Sequence, residues 1–111
     1  QLCGAVAFLH SVGVIHTDLK PENILLCNSS FAVVDGRKVR ELHSTSIKVI
    51  DYGMAHFEND ERMQLVTSRP WRAPEVILEM GWNKGVDLWS IGCILFELYR
   101  GAPLFNVPDN K

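Results

Sequence analysis

No two cysteines of this 111-residue chain stand close enough to suggest a clasp: Cys3, Cys27 and Cys93 are scattered and form no Cys-x-x-Cys pair. An odd, dispersed set argues against a disulfide framework and a cysteine zinc site, and points to a reducing compartment. The four histidines show no metal-ligand spacing either. A net charge of −2 leaves no bulk electrostatic footprint for nucleic acid or a membrane surface, so neither is expected as a direct partner. The longest apolar run, VDLWSIGCILFELY from Val86 to Tyr99, is too short for a membrane span and carries Asp87 and Glu97. It reads as a helix buried on nearly all sides. Repeats and low-complexity tracts are absent. Apolar residues make up 47%, ordinary for a globular protein. The chain opens on Gln1 and closes on Asp109-Asn110-Lys111 without a terminal signature, so it is expected to be a piece of a larger protein.

What is present is a small set of punctuated elements. Leu2, Val6, Leu9 and Phe8 suggest an apolar stripe on a helix over 2–12, with Gly13 as its stop. IHTDLKPENILL, 15–26, follows; Pro21 forbids a continuous helix there and biases Lys20 toward extended backbone. Ile24-Leu25-Leu26 reads as a short strand. The polar segment 27–46 holds a turn signal, Asp35-Gly36, between Val33-Val34 and Val39, which predicts a small hairpin. Ile47 to Ile50 resumes a strand pattern and runs into Asp51-Tyr52-Gly53. Ala73-Pro74-Glu75 opens a short helix through Leu78, Pro74 suiting its first turn. A long helix from about Val86 ends before Gly101. The fold class expected is mainly α with short β-hairpins, an α+β arrangement.

The chemistry sits where these strands end. If Ile24–Leu26 pairs with Ile47–Ile50, Asn23 and Asp51 converge at one end of the ribbon. An amide and a carboxylate oxygen suit a hard, partly hydrated cation such as Mg²⁺. Asp18, in the same loop, could face a substrate hydroxyl, and Lys20 could neutralise a transferring phosphate. Positioning, metal clamping and charge neutralisation are the needs of phosphoryl transfer. Taken singly, each has a plainer reading: Asp-Leu-Lys as a solvated turn, Asp51 as the start of another, Tyr52 as packing, Arg69 and Arg72 as surface charge.

Four motifs in order resemble the protein kinase family. His16-Thr17-Asp18-Leu19-Lys20 with Asn23 is similar to the catalytic loop, and Asp51-Tyr52-Gly53 to the metal-binding Asp-Phe-Gly. Ala73-Pro74-Glu75 matches the end of the activation segment. Asp87-Leu88-Trp89-Ser90 with Gly92 is similar to the start of the central helix of the large lobe. The resemblance implies that Asp18 accepts or orients the hydroxyl proton, Lys20 steadies the γ-phosphate of ATP, and Asn23 and Asp51 hold Mg²⁺. It places Leu25 beneath the adenine, His16 and Tyr52 in the hydrophobic spine, and Asp87 under the catalytic loop. It implies that Glu75 pairs with an arginine beyond residue 111, and that Ser68, Arg69 and Arg72 belong to the substrate-binding loop. All 111 residues would then form a partial kinase domain. It would contain the catalytic loop, activation segment and central helix, without the small lobe or the final helices.

His-Thr-Asp, the insert before Ile47 and SRPWRAPEVILEMGW (68–82) are together similar to the LAMMER (CDC-like) dual-specificity kinases. That implies arginine/serine-rich splicing factors as protein substrates and a nuclear location. The kinases specific for serine/arginine-rich proteins, which share His-Thr-Asp, are the rival assignment. Thr17 stands where most kinases have an arginine that awaits a phosphate. Activity is therefore expected not to depend strongly on phosphorylation of the activation segment, where only Thr67 and Ser68 carry hydroxyls between Gly53 and Glu75. The chain contains neither a glycine-rich phosphate loop nor a Val-Ala-x-Lys strand, so these residues alone are expected to be inactive. A truncated or pseudokinase-like binding module is the alternative. Intact Asp18, Lys20, Asn23 and Asp51 favour the enzyme.

Overall fold

The computed structural model describes residues 1–34, 36 and 39–107. Among these, the expected mixture of helices and short antiparallel ribbons is present. Helix α1 (Leu2–Ser11) leads into strand β1 (Val14–Ile15), then β2 (Ile24–Leu26), β3 (Phe31–Val34), β4 (Val39–Leu42), β5 (Ile47–Val49) and β6 (His56–Phe57). Helices α2 (Pro74–Ile77) and α3 (Gly85–Arg100) complete the order. The strands form three separate two-stranded antiparallel ribbons, β1 with β6, β2 with β5 and β3 with β4.

Local chemistry sets the boundaries. Gly13 at φ 75° and Gly101 at φ 75° end the two long helices in the left-handed region that glycine adopts without strain. The Gly101 N–H donates back to the Glu97 carbonyl at 2.7 Å. Pro74 opens α2 at a position whose N–H has no helical partner. Pro21 likewise opens a 3₁₀ turn, Pro21–Asn23, and Lys20 before it is extended, at φ −158° and ψ 162°. A second 3₁₀ turn spans Arg69–Trp71. Neither turn is among the elements that the sequence pattern predicts.

The β2–β5 pairing is the expected one, in the register Ile24↔Val49, Leu25↔Lys48 and Leu26↔Ile47. The hairpin also forms, Phe31 facing Leu42 and Val34 facing Val39. Asp35 of its turn signal lies outside the described residues. Every residue of β3 and β4 is exposed, so this ribbon contributes nothing to the core.

Two apolar clusters hold the rest. One joins Val6 of α1, Leu19, Trp71 and Ile91, Cys93 and Ile94 of α3. The other joins Ile15, Val66, Ala73, Val76, Trp82 and Val86. The segment 15–19 therefore has one end in each cluster. Leu19 is fully buried, which stabilises the loop by about 1.5–3 kcal/mol relative to exposure.

Two expectations need correction. Phe8 is 67% exposed and off the buried face of α1; it lies two residues from Val6, about 200° around the helix. Helix α3 is not buried on nearly all sides: Val86, Asp87, Ser90, Ile91, Cys93 and Ile94 face inward. Leu88, Leu95, Leu98 and Tyr99 are exposed. Uniform hydrophobicity set the expectation, but only one face of α3 meets other elements of this chain.

Candidate active site

Asp87, in the first turn of α3, organises the loop above it. It is 1% exposed and accepts three hydrogen bonds. The N–H of His16 (3.0 Å) and Nε2 of His10 (2.8 Å) donate to Oδ2, and the N–H of Thr17 (2.9 Å) donates to Oδ1. Those two N–H groups sit in a bend with no strand partner, so without Asp87 they would be buried donors with no acceptor. His10 is not among the residues that the sequence motifs single out. Its only signal was a polar residue in the last turn of an amphipathic helix.

The His16 imidazole is fixed by its own bonds. The Ile50 carbonyl lies 3.0 Å from Nε2, and the Asp18 N–H donates to Nδ1 at 3.2 Å. This assigns the Nε2–H tautomer. Tyr52 packs on the ring, centroids 5.1 Å apart and tilted by 57°. Its hydroxyl donates to the Val49 carbonyl at 3.3 Å. Thr17 has φ 66° and its Oγ1 donates to the Met54 carbonyl at 2.6 Å.

Asp18, Lys20 and Ser68 meet as a closed cluster. Asp18 Oδ1 accepts from the Ser68 N–H at 3.0 Å and from its hydroxyl at 2.8 Å. Lys20 Nζ lies 3.1 Å from Asp18 Oδ2 and donates to Ser68 Oγ at 3.1 Å. Burial pushes the Asp18 carboxyl upward. Hydrogen bonds from the Ser68 hydroxyl, Lys20 and the Ser68 N–H, together with the charge of Lys20, outweigh it, so the pKa lies below the usual carboxylate range. A groove of about 330 Å³ opens beside this cluster, lined by Asp18, Met54, Leu65, Val66, Thr67, Ser68 and Arg72.

The wall of that groove is anchored by Arg72. Its Nε donates to the carbonyls of Val66 and Thr67, both at 3.0 Å, and its second nitrogen to Thr67 at 2.7 Å. Burial, and secondarily the charge of Arg69, lower the Arg72 pKa. Arg69 itself is exposed, and among the described residues its guanidinium makes no hydrogen bond. Of the two arginines, only Arg72 holds the loop. Trp71 adds a second anchor: its Nε1 donates to Glu97 Oε2 at 3.0 Å, and its carbonyl accepts from Ser90 Oγ at 2.9 Å. Glu75 is half-buried and has no ion pair among the described residues.

Asn23 is 5% exposed and its Nδ2 donates to the Asp18 carbonyl at 2.9 Å. The Ile50 N–H donates to the Asn23 carbonyl at 2.9 Å, which ties the two ends of the ribbon. Asp51 follows directly, exposed, with φ 63° and one 3.3 Å bond from the Gly53 N–H. Leu25 is half-exposed on β2. Among the described residues no three histidine, cysteine or acidic side chains are grouped so as to hold a metal ion. Asn23 gives its amide nitrogen to the loop and keeps Oδ1, and Asp51 flanks the same end of the ribbon, which offers an amide and a carboxylate oxygen there. Such a set suits Mg²⁺, which keeps waters and substrate phosphates in most of its shell, better than a metal that needs a full protein cage.

A loop aspartate beside a buried helix aspartate, with an amide and a carboxylate at one ribbon end, is the arrangement that the motif resemblance implies. The protein kinase domain profile matches residues 1–111, and the chain belongs to the protein kinase family. Its similarity runs to the CDC-like, or LAMMER, group read in the motifs. It is 51% identical to the probable dual specificity protein kinase madd-3 of Caenorhabditis elegans, covering all of this chain and 13% of that protein. It is 49% identical to the human dual specificity protein kinase CLK2, covering 23% of it. It is also 49% identical to the serine/threonine-protein kinase Doa of Drosophila melanogaster, covering 14%. A crystal structure of a kinase domain superposes with a TM-score of 0.83 at 43% identity, over 95% of this chain and 34% of that one. The chain thus spans under a quarter of the length of these curated relatives.

Proposed function

We propose that this chain supplies the catalytic loop, activation segment and central helix of an ATP- and Mg²⁺-dependent protein kinase. The single observation that carries the reading is the Asp18–Lys20–Ser68 cluster facing a groove. Each carboxylate oxygen can accept two hydrogen bonds. Ser68 fills both places on Oδ1, and Lys20 fills one on Oδ2, so one acceptor position remains for a substrate hydroxyl. A carboxylate with lowered pKa is a weak base. It orients the hydroxyl and takes its proton late, which suits a loose transition state in which the nucleophile needs aim more than activation. Lys20 keeps one donor beyond the two given to Asp18 and Ser68, and it can meet a transferring phosphoryl oxygen.

Asn23 and Asp51 are the residues that would hold Mg²⁺, which when bound offsets the charge of the ATP phosphates. Leu25 lies under the adenine in this reading. His16 and Tyr52 form part of the apolar spine, and Arg72, with the Trp71 anchor, shapes the peptide groove. The substrates proposed are arginine/serine-rich splicing factors, phosphorylated on serine and threonine. The location proposed is the nucleus. The test is phosphate transfer by the full-length protein from Mg-ATP to an Arg-Ser repeat peptide, with Asp51→Ala as control. Transfer lost in the control supports the assignment. Transfer that survives in it removes the metal role of Asp51, and no transfer by the unaltered protein leaves a binding module.

A further inference from the structure

Arg72 borders a second cleft besides the groove at Asp18. This one holds about 330 Å³ between α2, α3 and the segment that follows α3. Its apolar lining is Pro74, Ile77, Trp89, Phe105 and Val107. The Trp89 and Phe105 rings stack within 6° of parallel, centroids 6.0 Å apart, which gives the slot a fixed wall. Ile77 is 62% exposed, a large apolar side chain with little packed over it among the described residues. A concave apolar surface with a few polar groups beside it is the usual make-up of a binding site.

The polar groups here are two cations, Arg69 and Arg72. Arg72 gives Nε and one terminal nitrogen to the carbonyls of Val66 and Thr67 and keeps its other terminal nitrogen. Neither arginine has an ion pair among the described residues. Burial, and then the charge of Arg69, lower the Arg72 pKa, so the two cations feel each other. Neighbouring guanidinium groups with no acid between them favour a carboxylate or a phosphate.

We propose that this cleft docks a second segment of the protein substrate, in which an apolar side chain fills the slot and a neighbouring carboxylate or phosphate meets Arg69 and Arg72. The proposal rests on the kinase reading above and adds a recognition element to it. The occupant is the substrate itself because the two sites adjoin. Arg72 lines both this cleft and the groove beside Asp18, and Ser68, bonded to Asp18, directly precedes Arg69. A chain with its hydroxyl at Asp18 can therefore continue over Arg72 into the slot. An unmodified Arg-Ser repeat supplies no apolar side chain and brings cation against cation, so the docking residues lie outside the repeat.

The experiment measures kcat and KM of the full-length protein with an Arg-Ser repeat peptide, alone or extended at either end through a Gly-Ser spacer. The extensions are Leu-Glu, Leu-phosphoserine and Leu-Gln. At least one anionic extension should lower KM about tenfold at unchanged kcat, and Leu-Gln by about threefold or less. Gain with both anions identifies an acidic motif, and gain with phosphoserine alone a segment phosphorylated beforehand; each supports the site. Ile77→Ser should erase the gain while the unextended peptide is used as before, within about twofold. Arg69→Glu should erase the anionic share, and a Leu-Lys extension should recover it in that variant. No gain from any extension, equal gain from Leu-Gln, or a gain that both variants leave intact would overturn the proposal. So would a fall of more than about 5 °C in the melting temperature of Ile77→Ser, because the slot would then be filled by the protein itself. If the unaltered protein transfers no phosphate, the kinase reading falls, and fluorescence anisotropy of the labelled extended peptides still decides whether the cleft binds them.

Discussion

Replacing Asp87 by asparagine probes the support beneath the candidate base without changing its size. Three donors converge on the native carboxylate: the N–H of His16 and Nε2 of His10 on one oxygen, the N–H of Thr17 on the other. An asparagine has one acceptor oxygen. Whichever way the amide is turned, its NH₂ faces one of the two backbone N–H groups. A buried N–H left without an acceptor costs about 1–3 kcal/mol, and loss of charge assistance to the remaining bonds adds about 1 kcal/mol. The local penalty is thus about 2–4 kcal/mol, or roughly thirty- to several-hundredfold more frequent opening of the loop. Hydrogen exchange at His16, Thr17 and Asp18 in the full-length protein reads this directly. Displacement of Asp18 by even an ångström should also lower kcat by about a hundredfold. Exchange altered by less than threefold, with kcat intact, would refute the idea that Asp87 holds the loop.

Other expectations follow from the same geometry. Because the Asp18 carboxyl titrates below its unfolded value, it contributes stability that is complete above about pH 4 and is lost as pH falls through the folded value. Ser68→Ala removes one of the donors that lower it, so the acid limb of kcat/KM should move to higher pH; an unmoved limb would show that the hydroxyl bond is unimportant. Thr67→Val replaces a buried hydroxyl that has no hydrogen-bond partner among the described residues with a methyl of the same shape. Thermal stability should hold or rise by up to about 1 kcal/mol and turnover should stay within about threefold, whereas a tenfold loss would mean the hydroxyl is used. Leu19→Ala, which empties a fully buried site in the first cluster, should cost about 2–5 kcal/mol. A change below about 1 kcal/mol in thermal or urea unfolding would show that the loop is not anchored there.

What was legible in the sequence was mostly what covalent geometry dictates. Pro21 broke the helix and stretched Lys20, Gly101 stopped α3, and the two apolar tripeptides paired so that Asn23 and Asp51 share one ribbon end. Asp87 was placed under the loop by motif resemblance, and it lies there. What remained hidden depended on tertiary contact. His10 matters because α1 happens to lay its last turn on Asp87, and the hydroxyl of Thr17 because Met54 returns to it across 37 residues. The two-residue β1–β6 pair carries too little pattern to be read from sequence. Apolar composition also misled at α3, where Leu88, Leu95 and Leu98 share a helix with buried Ile91 and Ile94 but face away from the core. The strands of the exposed hairpin read like any other strands, since alternation says which residues share a face and not whether anything covers it.

In the proposed reaction the Asp18 carboxylate, cradled by Ser68 and Lys20, aims a substrate hydroxyl at a phosphoryl group. The most direct measurement is kcat for phosphate transfer from Mg-ATP by the full-length protein carrying Asp18→Asn, beside the unaltered protein, with circular dichroism to verify the fold. The account predicts a loss of about 10²–10⁴-fold with the fold retained. Transfer by the folded variant within tenfold of the unaltered protein would contradict it.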